Sequence, residues 1–105
     1  MEINNFKPGA ELTFKSVVSV RDKLYKALME DTRGRFCLDL SEVTHCDSAG
    51  LALIIEARKL CKQNNKVFDV IGISPETQSL AEFCGVKTIL QRSRNNSESE
   101  IFIIP

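Results

Sequence analysis

Apolar positions fall into two kinds of pattern along this chain. Val17, Val20, Leu24 and Leu28 recur at helical spacing between polar neighbours. That spacing predicts an amphipathic helix over about residues 14–30, with Arg21, Asp22 and Lys26 turned to water. Arg35 to Val43 reads instead as a strand, and its run Phe36-Cys37-Leu38-Asp39-Leu40 is continuous enough for burial on both faces, with Asp39 the one interruption. The loop from Ser41 to Cys46 leads into a helix over 48–63, which the turn pair Asn64-Asn65 closes. Val67 to Ile73 is a second apolar strand. Ser74-Pro75-Glu76 then supplies a capping oxygen, a proline suited to the first turn and an early acid, so a helix begins there and stops at Gly85. Residues 2–6, ended by Pro8-Gly9, and Val86 to Leu90 are two further short strands.

Strands that alternate with helices need crossover connections, so the chain is predicted to be an α/β domain whose mostly parallel sheet of about four strands has helices packed against it. At 105 residues there is room for one core. The domain is placed at 1–90, followed by a polar tail over 91–105 that ends in Ile101-Phe102-Ile103-Ile104. An apolar end of this kind is costly in water. It can return as an added strand on an open sheet edge, pair with a second molecule to give a homodimer, or dock on a partner.

The helix over 48–63 carries more apolar residues than one sheet can use. On a helical wheel, Gly50, Leu53, Ile54, Ala57, Leu60 and Cys61 form a core-facing arc. Leu51 and Ile55 lie on another side, shared with Ser48, Lys59 and Lys62, and that side is predicted to be mostly exposed. Two readings follow: a small apolar docking surface beside a hydroxyl at the helix start, or side chains covered by the 41–46 loop or a neighbouring helix. Ser48 likewise has two readings. It is either an ordinary helix cap or a phosphorylation site, where a phosphoryl group would meet backbone amides and the positive end of the helix dipole. The neighbouring Asp47 carboxylate opposes the second reading.

Charge and chemistry narrow the classes of function. Fourteen basic and fourteen acidic residues cancel, so nothing marks a nucleic-acid or anionic-membrane surface. No apolar run is long enough for a membrane span, and the first residues lack the features of a secretory signal, so a cytoplasmic location is expected. Cys37, Cys46, Cys61 and Cys84 are irregularly spaced within or beside apolar runs and read as small buried hydrophobes. With one histidine, His45, in a loop, the chain offers no tetrahedral metal set, and no cofactor is expected. Catalysis is not expected: there is no nucleophile elbow, and Asp39, Asp47 and Ser48 are the one polar cluster that an enzyme or ligand pocket could use.

Cys37-Leu-Asp-Leu-Ser-Glu-Val43 followed by Asp47-Ser-Ala-Gly-Leu51 resembles the STAS domain, shared by anti-sigma factor antagonists, sulfate-transporter cytoplasmic tails and a subunit of the bacterial phospholipid-transport ABC system. Gly9-Ala-Glu-Leu-Thr-Phe14 and Gly50-Leu-Ala-Leu, in a helix ending Lys62-Gln63, are similar to that last subunit, MlaB. Ser48 is the residue type of antagonists, and the family's first hairpin strand has no counterpart in the pattern. The resemblance implies a non-enzymatic module that docks on the cytoplasmic ATPase of a phospholipid-trafficking ABC transporter, so that the chain is membrane-associated through the complex. The alternative is an anti-sigma factor antagonist that binds a kinase-type anti-sigma factor and is released by phosphorylation of Ser48. In both cases the docking residues are Asp47, Ser48, Ala49, Leu51, Ala52, Ile55 and Lys59.

Overall fold

The computed structural model describes residues 5–86. The elements follow one another as β1 (Asn5–Phe6), β2 (Glu11–Leu12), α1 (Val17–Glu30), β3 (Arg35–Asp39), β4 (His45–Cys46), α2 (Ser48–Gln63), β5 (Val67–Ile71) and α3 (Pro75–Phe83). β3 is central in a three-stranded sheet ordered β1-β3-β5, and β2 pairs with β4 in a separate two-stranded ladder. Every described pairing is parallel, in registers such as Phe6↔Leu38, Phe36↔Phe68 and Leu12↔Cys46. This is the α/β architecture that the alternation of patterns predicts.

The local rules explain most boundaries. α3 is capped as its sequence indicates: the Ser74 hydroxyl accepts the Thr77 N–H at 3.1 Å, with Pro75 at the first position and Glu76 in the first turn. α2 ends at Asn64-Asn65 because Asn65 takes a left-handed conformation, φ 58°, which asparagine tolerates better than most residues. α1 begins later than its periodicity suggests. Residues 13–16 form a turn in which the Ser16 hydroxyl accepts the Thr13 N–H and donates to the Glu11 carbonyl, holding the chain out of helix until Val17.

Two strands escape the sequence pattern. β2 and β4 are only two residues each, too short for an alternation to register, and β4 lies inside the segment expected to be a loop. The expected strand over 2–6 is seen at Asn5–Phe6, and residues 1–4 lie outside the described range, as do 87–90 of the expected final strand and all of the 91–105 tail.

The main core forms between the sheet and the two adjacent helices. Phe36 and Leu38 of β3 and Phe68 and Val70 of β5 meet Val20, Leu24 and Leu28 of α1 and Leu53, Ile54, Ala57 and Cys61 of α2. Phe36 stands between Phe6 and Phe68, with ring centroids 6.1 and 6.5 Å away. α2 is therefore anchored along its whole length, and whatever lies on its outer side is held rigidly.

Candidate functional site

The site is built where the β2–β4 ladder hands the chain into α2. Asp47 is extended and acts as the N-cap: one carboxylate oxygen accepts the N–H groups of Ala49 and Gly50 at 3.0 and 3.1 Å. The other accepts the Phe14 N–H at 3.1 Å, tying the turn before α1 to the start of α2. The Phe14 bond most of all holds the Asp47 carboxyl below its ordinary range; desolvation opposes it, and the Gly50 and Ala49 amides add to the lowering.

Because Asp47 is the cap, the exposed hydroxyl of Ser48 has no capping role. The two amides beside it are already engaged, so a phosphoryl group on Ser48 would compete with Asp47 for them rather than find them free. Ala52 and Lys59 are exposed, Ala49 is partly exposed, and Ile55 is half-buried with one side packed on the core.

Leu51 corrects the expectation drawn from the wheel. It is 2% exposed and belongs to the core cluster, so it offers no surface to a partner. The reason is the short ladder that the sequence pattern misses. β2 crosses directly over the first turn of α2, so closely that a Cβ on Gly50 would stand 2.1 Å from the Leu12 carbonyl oxygen and 3.0 Å from the Cys46 sulfur. Leu12 and Val43 are buried with Leu51 in this second layer. The surplus of apolar residues at the start of α2 is used by a second wall, and of the two readings of Leu51 the covered one is correct.

Two exposed hydrophobic residues take its place. Phe14 is 69% exposed and Val18 is 70% exposed. Phe14 is bonded to Asp47, and Val18 lies one turn further along α1. α1 and α2 are both crossovers between parallel strands, so they run side by side in the same direction, clamped where Arg21 donates to both carboxylate oxygens of Glu56 and the Tyr25 hydroxyl meets Glu56 Oε2 at 2.5 Å. Arg21 also lies over the Tyr25 ring, 4.7 Å from its centroid. Stepping back one turn from this clamp on each helix reaches Val18 on α1 and Ala52 on α2. The exposed surface thus comprises Phe14, Val18, Ser48 and Ala52, edged by Ile55 and Lys59. The available signal was an aromatic residue at the helix mouth and a valine off the Val17-Val20-Leu24-Leu28 stripe.

The other chemically suggestive residues do not converge. The buried Asp39 accepts the Ser41 N–H at 2.9 Å, which holds its carboxyl below the usual carboxylate range, and it shares no hydrogen bond with Asp47 or Ser48. His45 is exposed on β4 with its ring against the Thr44 hydroxyl. Cys37 and Cys61 are buried, as expected, and burial pushes the Cys61 thiol up to about 12. Cys46 is half-buried and Cys84 is exposed, so the expectation of burial fails at Cys84. Among the described residues no group of three or more His, Cys, Asp or Glu side chains could hold a metal ion, and no helix is long and apolar enough to cross a membrane.

Comparison with known proteins agrees with this fold. Residues 9–91 match the family described as "Mlab, STAS domain". The chain is 30% identical over 84 residues to the anti-sigma-B factor antagonist of Staphylococcus aureus (strain NCTC 8325 / PS 47), covering 80% of this chain and 77% of that protein. It is 29% identical to the Staphylococcus epidermidis anti-sigma-B factor antagonist over the same length. Among solved structures it is similar to a sulfate transporter family protein from Wolinella succinogenes, with TM-score 0.65 and 17% identity over 82% of this chain and 70% of that one. It is also similar to an anti-sigma-factor antagonist (STAS) domain protein from Planctomyces limnophilus, with TM-score 0.63 and 17% identity over 84% and 75%. Fold, signature residues and sequence relatives coincide, and the chain belongs to the STAS domain family.

Proposed function

We propose that this STAS domain is a non-enzymatic docking module that binds an anti-sigma factor through the exposed face formed by Phe14, Val18, Ser48 and Ala52, and that charge on Ser48 controls the binding. The observation that carries this reading is the division of labour between neighbours: Asp47 caps α2 and holds the exposed Phe14, and Ser48, one residue on, is exposed and takes no part in the cap. A hydroxyl needed for the fold would be a poor place to put a switch. This one is free to be modified. The relatives at about 30% identity are anti-sigma-B factor antagonists, which favours that class of partner.

The controlling step is a phosphoryl transfer. The Ser48 oxygen attacks the γ-phosphorus of ATP held by the partner, the bond from that phosphorus to the oxygen bridging it to the β-phosphate breaks, ADP leaves, and the serine proton is lost. Nearly two negative charges then stand beside the Asp47 carboxylate and within the docking surface, where desolvating them opposes association. A second reading, docking on the ATPase subunit of a phospholipid-transport ABC system, is favoured by the MlaB description of the matching family.

Binding assays with Ser48→Glu and Ser48→Ala, using the anti-sigma factor and the ABC ATPase of the same cell, separate the readings. The antagonist reading predicts that the anti-sigma factor binds the unmodified chain and the alanine variant but loses the glutamate variant. Binding to the ATPase alone, weakened by alanine itself, would support the transporter reading instead.

A further inference from the structure

The sheet has a second face that α1 and α2 leave alone. Successive residues on a strand point to opposite sides, so Phe36, Leu38, Phe68 and Val70 point into the helical core while Arg35, Cys37, Asp39, Val67, Asp69 and Ile71 point the other way. α1 links β1 to β3 and α2 links β3 to β5. Both are crossovers between parallel strands advancing in one direction, so right-handedness puts both helices on the same side. Neither α1 nor α2 covers the opposite face. That face is not a simple solvated one: Val67 is 46% and Ile71 is 37% exposed at the two ends of β5, and between them on the neighbouring strand Cys37 is only 8% exposed. Arg35, opposite Val67, pairs with Asp69 across the strands at 2.9 Å, and Asp39, opposite Ile71, accepts the Ser41 N–H, so each charged group on this face has a partner.

We propose that this face is the seat of the chain's own C-terminal segment Ile101-Phe102-Ile103-Ile104. The face offers the exposed aliphatic side chains of Val67 and Ile71 and charged groups that already have partners, and the segment offers four apolar side chains with no charge among them. Length permits the connection. Val86 is the last described residue, and the fifteen residues from there to Ile101 reach about 50 Å at roughly 3.3 Å each. The described fold is 33 Å in its longest dimension. The intervening Gln91 to Glu100 is polar throughout, as a stretch crossing solvent should be. A tethered segment also meets its seat at an effective concentration in the millimolar range, which a second copy or a separate partner does not match at ordinary concentrations.

The experiment uses Cys37 as the reporter. In a Cys46→Ser, Cys84→Ser chain, the buried Cys61 stays silent and Cys37 reacts with N-ethylmaleimide only as fast as its face opens. Mass spectrometry of the Cys37 peptide then compares the full chain, a chain lacking residues 98–105, and a full-length Ile101→Asp, Ile103→Asp chain. Both alterations are expected to speed labelling by about tenfold or more, with full-chain rates that do not depend on protein concentration. Equal labelling rates in all three chains would overturn the proposal. So would protection that disappears on dilution, since the occupant would then come from a second molecule. Hydrogen exchange on the unaltered sequence provides the check that needs no variant to fold: residues 101–104 should be protected, and Val67→Lys with Ile71→Lys should release them. Free exchange of 101–104 in the unaltered chain contradicts the seat.

Discussion

The first turn of α2 and its outer side are made from similar residues and meet opposite fates. Gly50 and Leu51 are buried beneath β2, whereas Ser48 and Ala52, each within two residues of them, face solvent. Local preference does not separate them, since alanine and leucine are both good helix formers. The separation comes from a two-residue ladder brought in from distant sequence, which makes one side of the turn a packed interior and leaves the other as surface. A STAS domain of this shape can change its outer side without disturbing its fold.

The sharpest way to break this contrast is at Gly50. A side chain there meets backbone rather than a flexible side chain, so Gly50→Val should cost at least about 3 kcal/mol or prevent folding, as severe overpacking does. Denaturant unfolding measures it. A stable Gly50→Val protein would mean that β2 does not cross the helix this closely.

Next in size is Leu51. Leu51→Ala should cost roughly 2–5 kcal/mol, comparable with Leu53→Ala, because both side chains are buried in the same core cluster. Ala52→Asp, one position on, should stay within about 0.5 kcal/mol of the unaltered chain. Similar losses at 51 and 52 would erase the distinction between the two sides.

Acid should weaken the junction through Asp47. Its carboxyl is held below the usual range by the Phe14, Gly50 and Ala49 amides, so the folded state binds the proton less readily than the unfolded chain. Its stabilisation is present above the unfolded value of about 3.9 and is lost as pH falls through the lower folded value. Melting temperatures followed downward from pH 5 should therefore fall more steeply for the unaltered chain than for Asp47→Asn. Parallel profiles would show that Asp47 contributes nothing that depends on its charge. The smallest effect belongs to Ser48→Ala, which should leave the melting temperature unchanged because the cap is one residue earlier.

Much of the fold was legible because its signals are local or periodic. The bounds of α2 over 48–63 follow from Asp47-Ser48 and Asn64-Asn65, and the start of α3 follows from Ser74-Pro75-Glu76. The central strand announces itself as Phe36-Cys37-Leu38. The site was half legible. Asp47 and Ser48 stand at the helix start as the signature indicates and Ala52 is exposed, whereas the wheel puts Leu51 on the wrong side and the exposure of Phe14 and Val18 forms no part of the expected surface. Leu51 and Phe14 share one cause. Strands of two residues carry no readable period, and the wall that buries Leu51 and presents Phe14 beside Asp47 is made of two such strands.

The docking face is tested most directly by the affinity of the anti-sigma factor for Ala52→Asp, measured by titration calorimetry beside the unaltered chain and alongside both melting temperatures. A charge in a desolvated interface but outside the core should weaken binding by about tenfold or more while the melting temperature holds. Full affinity in the Ala52→Asp chain, with the fold equally intact, would contradict the assignment of this face as the docking surface.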